Sequence, residues 1–148
     1  MTEIQLEEDP GRIDNIAVLS GPTIAQDLAQ KAEMCAVIAA YNLDTAADLQ
    51  NVFTTDHFRI YIEEDVIGVE LGGAIKNVMA LGAGIADEMG VTESTKATYA
   101  TRALAETTRF GLALGAVEAT FSGLSGYGDL SLSCFSRATR NHRVGMKF

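Results

Sequence analysis

"GVELGGAIKNVMALGAGIADEMG", Gly68 to Gly90, is the stretch on which the reading of this chain turns. It is apolar and rich in glycine, and its one cation is Lys76. Removing an ammonium from water without a partner is expensive, so a lysine in such surroundings is paired, snorkelling or functional. Each glycine inside a helix costs roughly 1 kcal/mol against alanine. Placed at about 100° per residue, Ile67, Leu71, Ala74, Val78, Leu81 and Ile85 share one face. Val69, Gly72, Gly73, Lys76, Ala80, Ala83 and Asp87 share the opposite one. The spacing predicts a core stripe of large apolar residues on the first face. On the second it predicts a groove of small residues around Lys76, where a backbone or a flat ligand can approach closely. Two readings of Lys76 follow. It packs among glycines and pairs with Asp87 or Asp129 or snorkels out, or it is a lysine of depressed pKa that exchanges a proton with a substrate.

Working outward, residues 93–115 form a second long helical pattern, with a break near Gly90 and Thr92 or Ser94 as the cap. Before Glu64 the periodicity is different. "IDNIAVLS" (13–20), "MCAVIAA" (34–40) and "FRIYI" (58–62) read as strands, the last near a sheet edge. "IAQDLAQK" (24–31), capped by Thr23, and "LDTAADLQNVF" (43–53), capped by Asp44 or Thr45, read as helices between them. "MTEIQLEEDPGR" (1–12) reads as extended or loosely ordered. Strands alternating with helices imply a parallel or mixed sheet. The fold class is thus α/β followed by all-α, with a domain boundary near residue 64.

The chain has 148 residues, 47% hydrophobic and 21% charged, which is globular composition with room for a core. Its net charge of −9 argues against nucleic-acid or anionic-membrane binding. Up to Asp129 there are twenty acids against seven bases; beyond it stand Arg137, Arg140, Arg143 and Lys147, with His142 and no acid. Such a cluster suits a small anion such as a phosphate group, or is a solvated basic tail. Cys35 and Cys134 have no metal-like spacing, and no disulfide is expected of them. No metal site is expected. No signal segment is evident and no apolar run approaches the ~18 residues that span a bilayer, so a soluble, cytoplasmic protein is expected.

Taken together, "VLSGPTIAQDLA" (18–29), "FRIYIEEDVIGVELGGAIKNVMALGAGIADEMG" (58–90), "TRALAETTRFGLALGA" (101–116), "GLSGYGDLSLSC" (123–134) and "RATRNHRVG" (137–145) resemble NAD(P)-dependent glycerol-3-phosphate dehydrogenases. "GVELGGAIKN" and "TRNHRVG" are the specific motifs. The resemblance implies interconversion of sn-glycerol 3-phosphate and dihydroxyacetone phosphate with NAD(P)(H). It also implies that residues 1–64 are the last part of a Rossmann-like NAD(P)-binding domain. Residues 65–148 would then be the first helices of a helical substrate domain. Lys76 falls on the family's catalytic proton donor and acceptor, and Asn77 is next in its motif. Gly21 and Thr23 fall on substrate-contacting positions, Ala25 on a cofactor-contacting one, and Asp129 on an aspartate near the lysine and the substrate hydroxyl. Thr139, Arg140 and Asn141 match the phosphate-binding run, in which the arginine also touches the cofactor.

Other features carry less. Cys134 with His142 lacks a third group and is read as a core cysteine. "GAGIAD" lies inside a helix and follows no strand, so it is no dinucleotide turn. The family's opening G-x-G-x-x-G turn, a second substrate lysine and its later helices have no counterpart in this sequence, which is expected to be a central segment. Two functions therefore stay open: a dehydrogenase or part of one, acting as a homodimer or with a chain that supplies the missing parts, or a non-catalytic fragment or interaction module keeping the phosphate half-site.

Overall fold

A computed structural model describes residues 15–148, so the expected extended start (1–12) and the first two positions of the strand expected at 13–20 lie outside the described residues. A three-stranded sheet comes first: β1 (Ala17–Ser20), β2 (Met34–Ala40) and β3 (Phe58–Glu63). Helices α1 (Ala25–Ala29) and α2 (Leu43–Phe53) link them. The strand order is β1-β2-β3, antiparallel between β1 and β2 and parallel between β2 and β3, a mixed sheet with β3 at one edge. Met34 lies opposite Phe58 and Ala39 opposite Glu63. β2 is central, and Ala36 to Ala40 are all buried, because its alternating side chains meet a layer on each face. Ala36, Ile38 and Ala40 pack with Ala46, Phe58 and Ile60, while Val37 and Ala39 pack with Val66 and Val69.

After Glu63 no further strand occurs among the described residues. α3 (Val66–Glu88) and α4 (Glu93–Ala113) are followed by α5 (Glu118–Phe121), a π-helical turn at Leu124–Gly128, α6 (Asp129–Phe135) and α7 (Arg140–Gly145). The order is α/β and then all-α, as the periodicities require. α3 is the central element, in contact with the sheet, the π turn and every helix from α4 to α7. Its N-cap, Asp65, does two jobs. One carboxylate oxygen accepts the Gly68 N–H at 2.8 Å, and the other accepts the Val117 N–H at 2.8 Å and the Thr120 hydroxyl at 2.7 Å, tying α3 to α5. Helix α3 is also 23 residues long with a windowed mean hydropathy of 1.3, enough by length and composition to cross a membrane. This corrects the expectation that no apolar run approaches that length, because the glycines and alanines between the larger residues keep the helix apolar on average; in the fold it lies against the sheet and four helices.

Several local expectations need correcting. Thr23 does not cap α1: Ile24 occupies the N-cap position without a side-chain bond, and the Thr23 hydroxyl lies 3.5 Å from the Gly21 carbonyl. α2 is capped by Asn42, whose side chain accepts the Asp44 N–H at 2.9 Å, so neither Asp44 nor Thr45 is the cap. Thr92 rather than Ser94 caps α4.

The faces of α3 are the reverse of the expectation. Its buried positions are Val66, Gly68, Val69, Gly72, Ala80, Ala83 and Gly84, on the small-residue side, whereas Val78 of the large stripe is 67% exposed. The reason is steric. A Cβ built on Gly84 would strike the His142 carbonyl and come within 3.0 Å of the Gly145 Cα, so α3 and α7 meet backbone to backbone. That close approach is what offsets the helical cost of the glycines.

Candidate functional site

Lys76 projects from the middle of α3 toward the start of α6, and its ammonium is paired with the Asp129 carboxylate. The lysine side chain is 23% exposed and the aspartate 3%. Asp129 follows directly on the π-helical turn, a rare local geometry that often marks functional positions. Burial raises the Asp129 carboxyl above its ordinary value, and the Lys76 ammonium only partly opposes this. The charged pair is therefore held at a net electrostatic cost to Asp129. Of the two partners expected for Lys76, Asp87 is taken elsewhere.

Two cavities meet at this pair. One, of about 790 Å³, is lined by Thr23, Ala25, Lys76, Asn77, Asp129, Thr139, Arg140 and Asn141, together with Arg143 and neighbouring apolar residues. The other, of about 800 Å³, lies against the sheet and includes Gly21, Thr23, Gly73, Lys76 and Asp129. The fold thus brings eight of the nine residues singled out in the sequence to one cavity and places Gly21 in the adjoining one. Gly21 has φ +152°, and a Cβ there would lie 2.9 Å from the Ala36 Cα, so β1 leaves the sheet directly over β2 only as glycine.

The polar groups are interlinked. The Asn141 side-chain amide donates to the Asn77 side-chain oxygen at 2.8 Å, and the Asn77 amide donates to the Gly73 carbonyl at 3.2 Å. This chain ties α7 to α3 beside Lys76. The Thr139 hydroxyl lies 3.1 Å from the Ser136 carbonyl and 3.3 Å from that of Ser133, so its proton is engaged by backbone.

Beneath the cavity is a cluster the sequence reading missed. The Lys96 ammonium lies 2.9 Å from one Asp87 oxygen, and His142 Nε2 lies 3.0 Å from the other. The three side chains are 10%, 4% and 0% exposed. Arg137, 71% exposed, adds a 3.6 Å contact to the same carboxylate. Burial alone would raise the Asp87 carboxyl, but bonds to Lys96 and His142 outweigh it and hold the carboxyl below its ordinary value. His142 immediately follows Asn141, so this cluster anchors the helix that carries Arg140. It could have been suspected from Asp87 standing on the small-residue face. Cys134 makes no pair with His142; burial pushes its thiol up to about 11, against the pull of Lys96, so it is inert. No group of three or more metal-ligating side chains occurs among the described residues.

Residues 65–148 match the family model described as NAD-dependent glycerol-3-phosphate dehydrogenase C-terminus. The chain belongs to this family. It is 49% identical over 138 residues to glycerol-3-phosphate dehydrogenase [NAD(P)+] of Geobacter metallireducens, covering 93% of this chain and 41% of that protein. With the protein of the same name from Streptomyces griseus it shares 48% over 145 residues, 98% of this chain and 43% of that one. The glycerol-3-phosphate dehydrogenase structure from Coxiella burnetii superposes with a TM-score of 0.86 at 36% identity, covering 88% of this chain and 40% of that one. The DsGPDH structure of Dunaliella salina gives 0.84 at 34%, covering 88% of this chain and 22% of that one. The chain spans about two fifths of the length of the curated relatives it matches.

Proposed function

We propose that this chain carries the proton-transfer and phosphate-binding half of a glycerol-3-phosphate dehydrogenase site, acting on sn-glycerol 3-phosphate and dihydroxyacetone phosphate in the cytoplasm. The observation that carries the reading is the single cavity joining Lys76, Asp129 and the Thr139–Arg140–Asn141 run. In ketone reduction the Lys76 ammonium would stabilise the oxygen as it gains charge and then protonate it. In alcohol oxidation the neutral amine would take the hydroxyl proton. Asp129 would hold the ammonium in place, and Asn77, fixed by Asn141 and the Gly73 carbonyl, would orient the lysine or the substrate. Arg140 would bind the phosphate, with Thr139 and Asn141 beside it, while Gly21 and Thr23 would line the approach.

NAD(P)(H), when bound, would supply or accept the hydride. Ala25 and Arg140 both line this cavity, and an alanine with a guanidinium that makes no ion pair among the described residues suits a flat ring and a phosphate. Residues 1–64 would then be the last part of a Rossmann-like domain and 65–148 the start of the helical substrate domain, a division supported by the end of β3 at Glu63. Val78, Phe110, Leu112 and Leu114 are exposed apolar residues and support pairing with a second copy or another chain.

Lys76→Ala tests the proposal. In the chain complemented with the missing parts of the site, reduction of dihydroxyacetone phosphate, followed by NADH or NADPH absorbance, should fall about 10²–10⁴-fold in kcat while the circular dichroism is unchanged. Near-normal turnover would reduce Lys76 to a packing role and remove it from the proton-transfer step.

A further inference from the structure

Three arginines follow one another near the end of the chain, and the fold treats them differently. Arg137 is drawn to Asp87. Arg140 and Arg143, one turn apart on α7, both line the Lys76 cavity, and neither makes an ion pair among the described residues. Like charges at this spacing repel, so the pair is disfavoured until something negative lies between its members.

The charges on the cavity wall decide what that something is. Lys76 and Asp129 neutralise each other. What remains is two guanidinium groups, a net charge that matches a phosphate monoester, which carries about −1.5 to −2 at pH 7. A single arginine would leave half of that charge unmatched. We propose that Arg143 is the second arm of a dianion clamp: together with Arg140 it makes the cavity specific for a phosphate monoester over a singly charged ester. This rests on the cavity being the substrate site, and it gives a role to a residue that the motif reading passes over. His142, buried between the two arginines in sequence and bonded to Asp87, turns the opposite side of α7 inward and leaves both arginines facing the cavity.

The test compares two ligands at one pH. sn-Glycerol 3-phosphate and glycerol 3-sulfate have nearly the same shape, but the sulfate ester is a monoanion. Both are titrated into the 148-residue chain by NMR, which reads millimolar affinities, with wild type, Arg143→Gln, Arg143→Lys and Arg140→Gln in parallel. Arg143→Gln should weaken the phosphate ester about 5- to 10-fold, a charge-assisted contact discounted for exposure, and the sulfate ester clearly less. Arg143→Lys should restore part of the difference. Equal weakening of both esters, or no change, overturns the clamp. So does an Arg143→Gln protein that keeps the phosphate ester but loses NADH affinity, which would assign Arg143 to the dinucleotide. If Arg140→Gln weakens the phosphate ester and Arg143→Gln does not, the substrate site stands and only the clamp fails. If wild type binds neither ester, both fall.

Discussion

Replacing Asp87 by asparagine should be the most damaging single change away from the cavity. Asp87, Lys96 and His142 come from α3, α4 and α7, and their side chains are at most 10% exposed. At 2.9 Å, with an effective dielectric near 20, the Asp87–Lys96 attraction is worth about 6 kcal/mol before desolvation. Desolvation takes back several kcal/mol per ion. The balance is readable in the sign of the Asp87 shift: its carboxyl lies below its ordinary value, so attraction exceeds the burial penalty. Asparagine keeps the shape but leaves Lys96 buried without a close counter-charge. Glu93 is the other carboxylate near it, at 3.8 Å and 85% exposed, too solvated to compensate. Breaking a buried pair by removing one partner costs about 3–5 kcal/mol, a large share of the 5–15 kcal/mol by which domains are stable. Urea unfolding followed by circular dichroism at pH 7 measures it, and the double variant Asp87→Asn/Lys96→Met should recover much of the loss. The sign with pH also follows. A depressed carboxyl stabilises the fold above its unfolded value, near 3.8, and this contribution is lost as pH falls further. The gap between wild type and Asp87→Asn should therefore close in acid. A loss below about 1 kcal/mol at pH 7, with unchanged m-value, would refute the reasoning.

Asp129 should behave in the opposite sense. Its carboxyl is raised, so its charge costs stability once pH rises above the unfolded value, and Asp129→Asn should be neutral or stabilising at pH 7 with no difference near pH 3; thermal melts at the two values check this. Gly84→Ala drives a methyl into the His142 carbonyl and should cost about 1–3 kcal/mol, and NMR should show the Asn77–Asn141 bond lost with α7 displaced. Cys134, with its thiol near 11 and buried, should react with an aromatic disulfide reagent only on unfolding, while half-buried Cys35 reacts in the native state; mass spectrometry of the labelled protein separates them.

Much of the fold was legible because period and apolar content agree locally. β2 at Met34–Ala40 and α2 at Leu43–Phe53 fall where the apolar run and the 3.6-residue spacing put them. Thr92 was found as a cap, but those of α1 and α2 were missed by one to three positions, since Asn42, Asp44 and Thr45 are all competent and backbone geometry chooses among them. The face of α3 was misjudged for a deeper reason. Periodicity finds two faces but does not say which is buried. Area favours the large residues, yet the close approach of α7 needs the small ones, and here close approach prevails. The cavity residues were found through motif resemblance, not periodicity. The Asp87–His142 bond joins positions 55 apart, on two helices whose contact no local pattern announces.

The two buried aspartates show how the parts depend on each other. Both meet a lysine and both are shielded from water, yet Asp87 is held below its ordinary value and Asp129 above it. The difference lies in the number of partners. Asp87 has Lys96 and His142 within 3.0 Å, on separate helices, and its side chain is 4% exposed. Asp129 has Lys76 alone, and both open on solvent-sized space. A charge held at a loss persists only where the surrounding packing over-determines it. The packing that does so is α3 against α7, locked by Gly84, Gly145 and the Asp87 cluster. Stability generated near the C-terminal end of α3, at Asp87, thus keeps an under-compensated ion pair in place at Lys76, about three turns back along the helix. Under the proposed function that pair would serve proton transfer, with a substrate oxygen taking the place of the carboxylate beside the Lys76 ammonium.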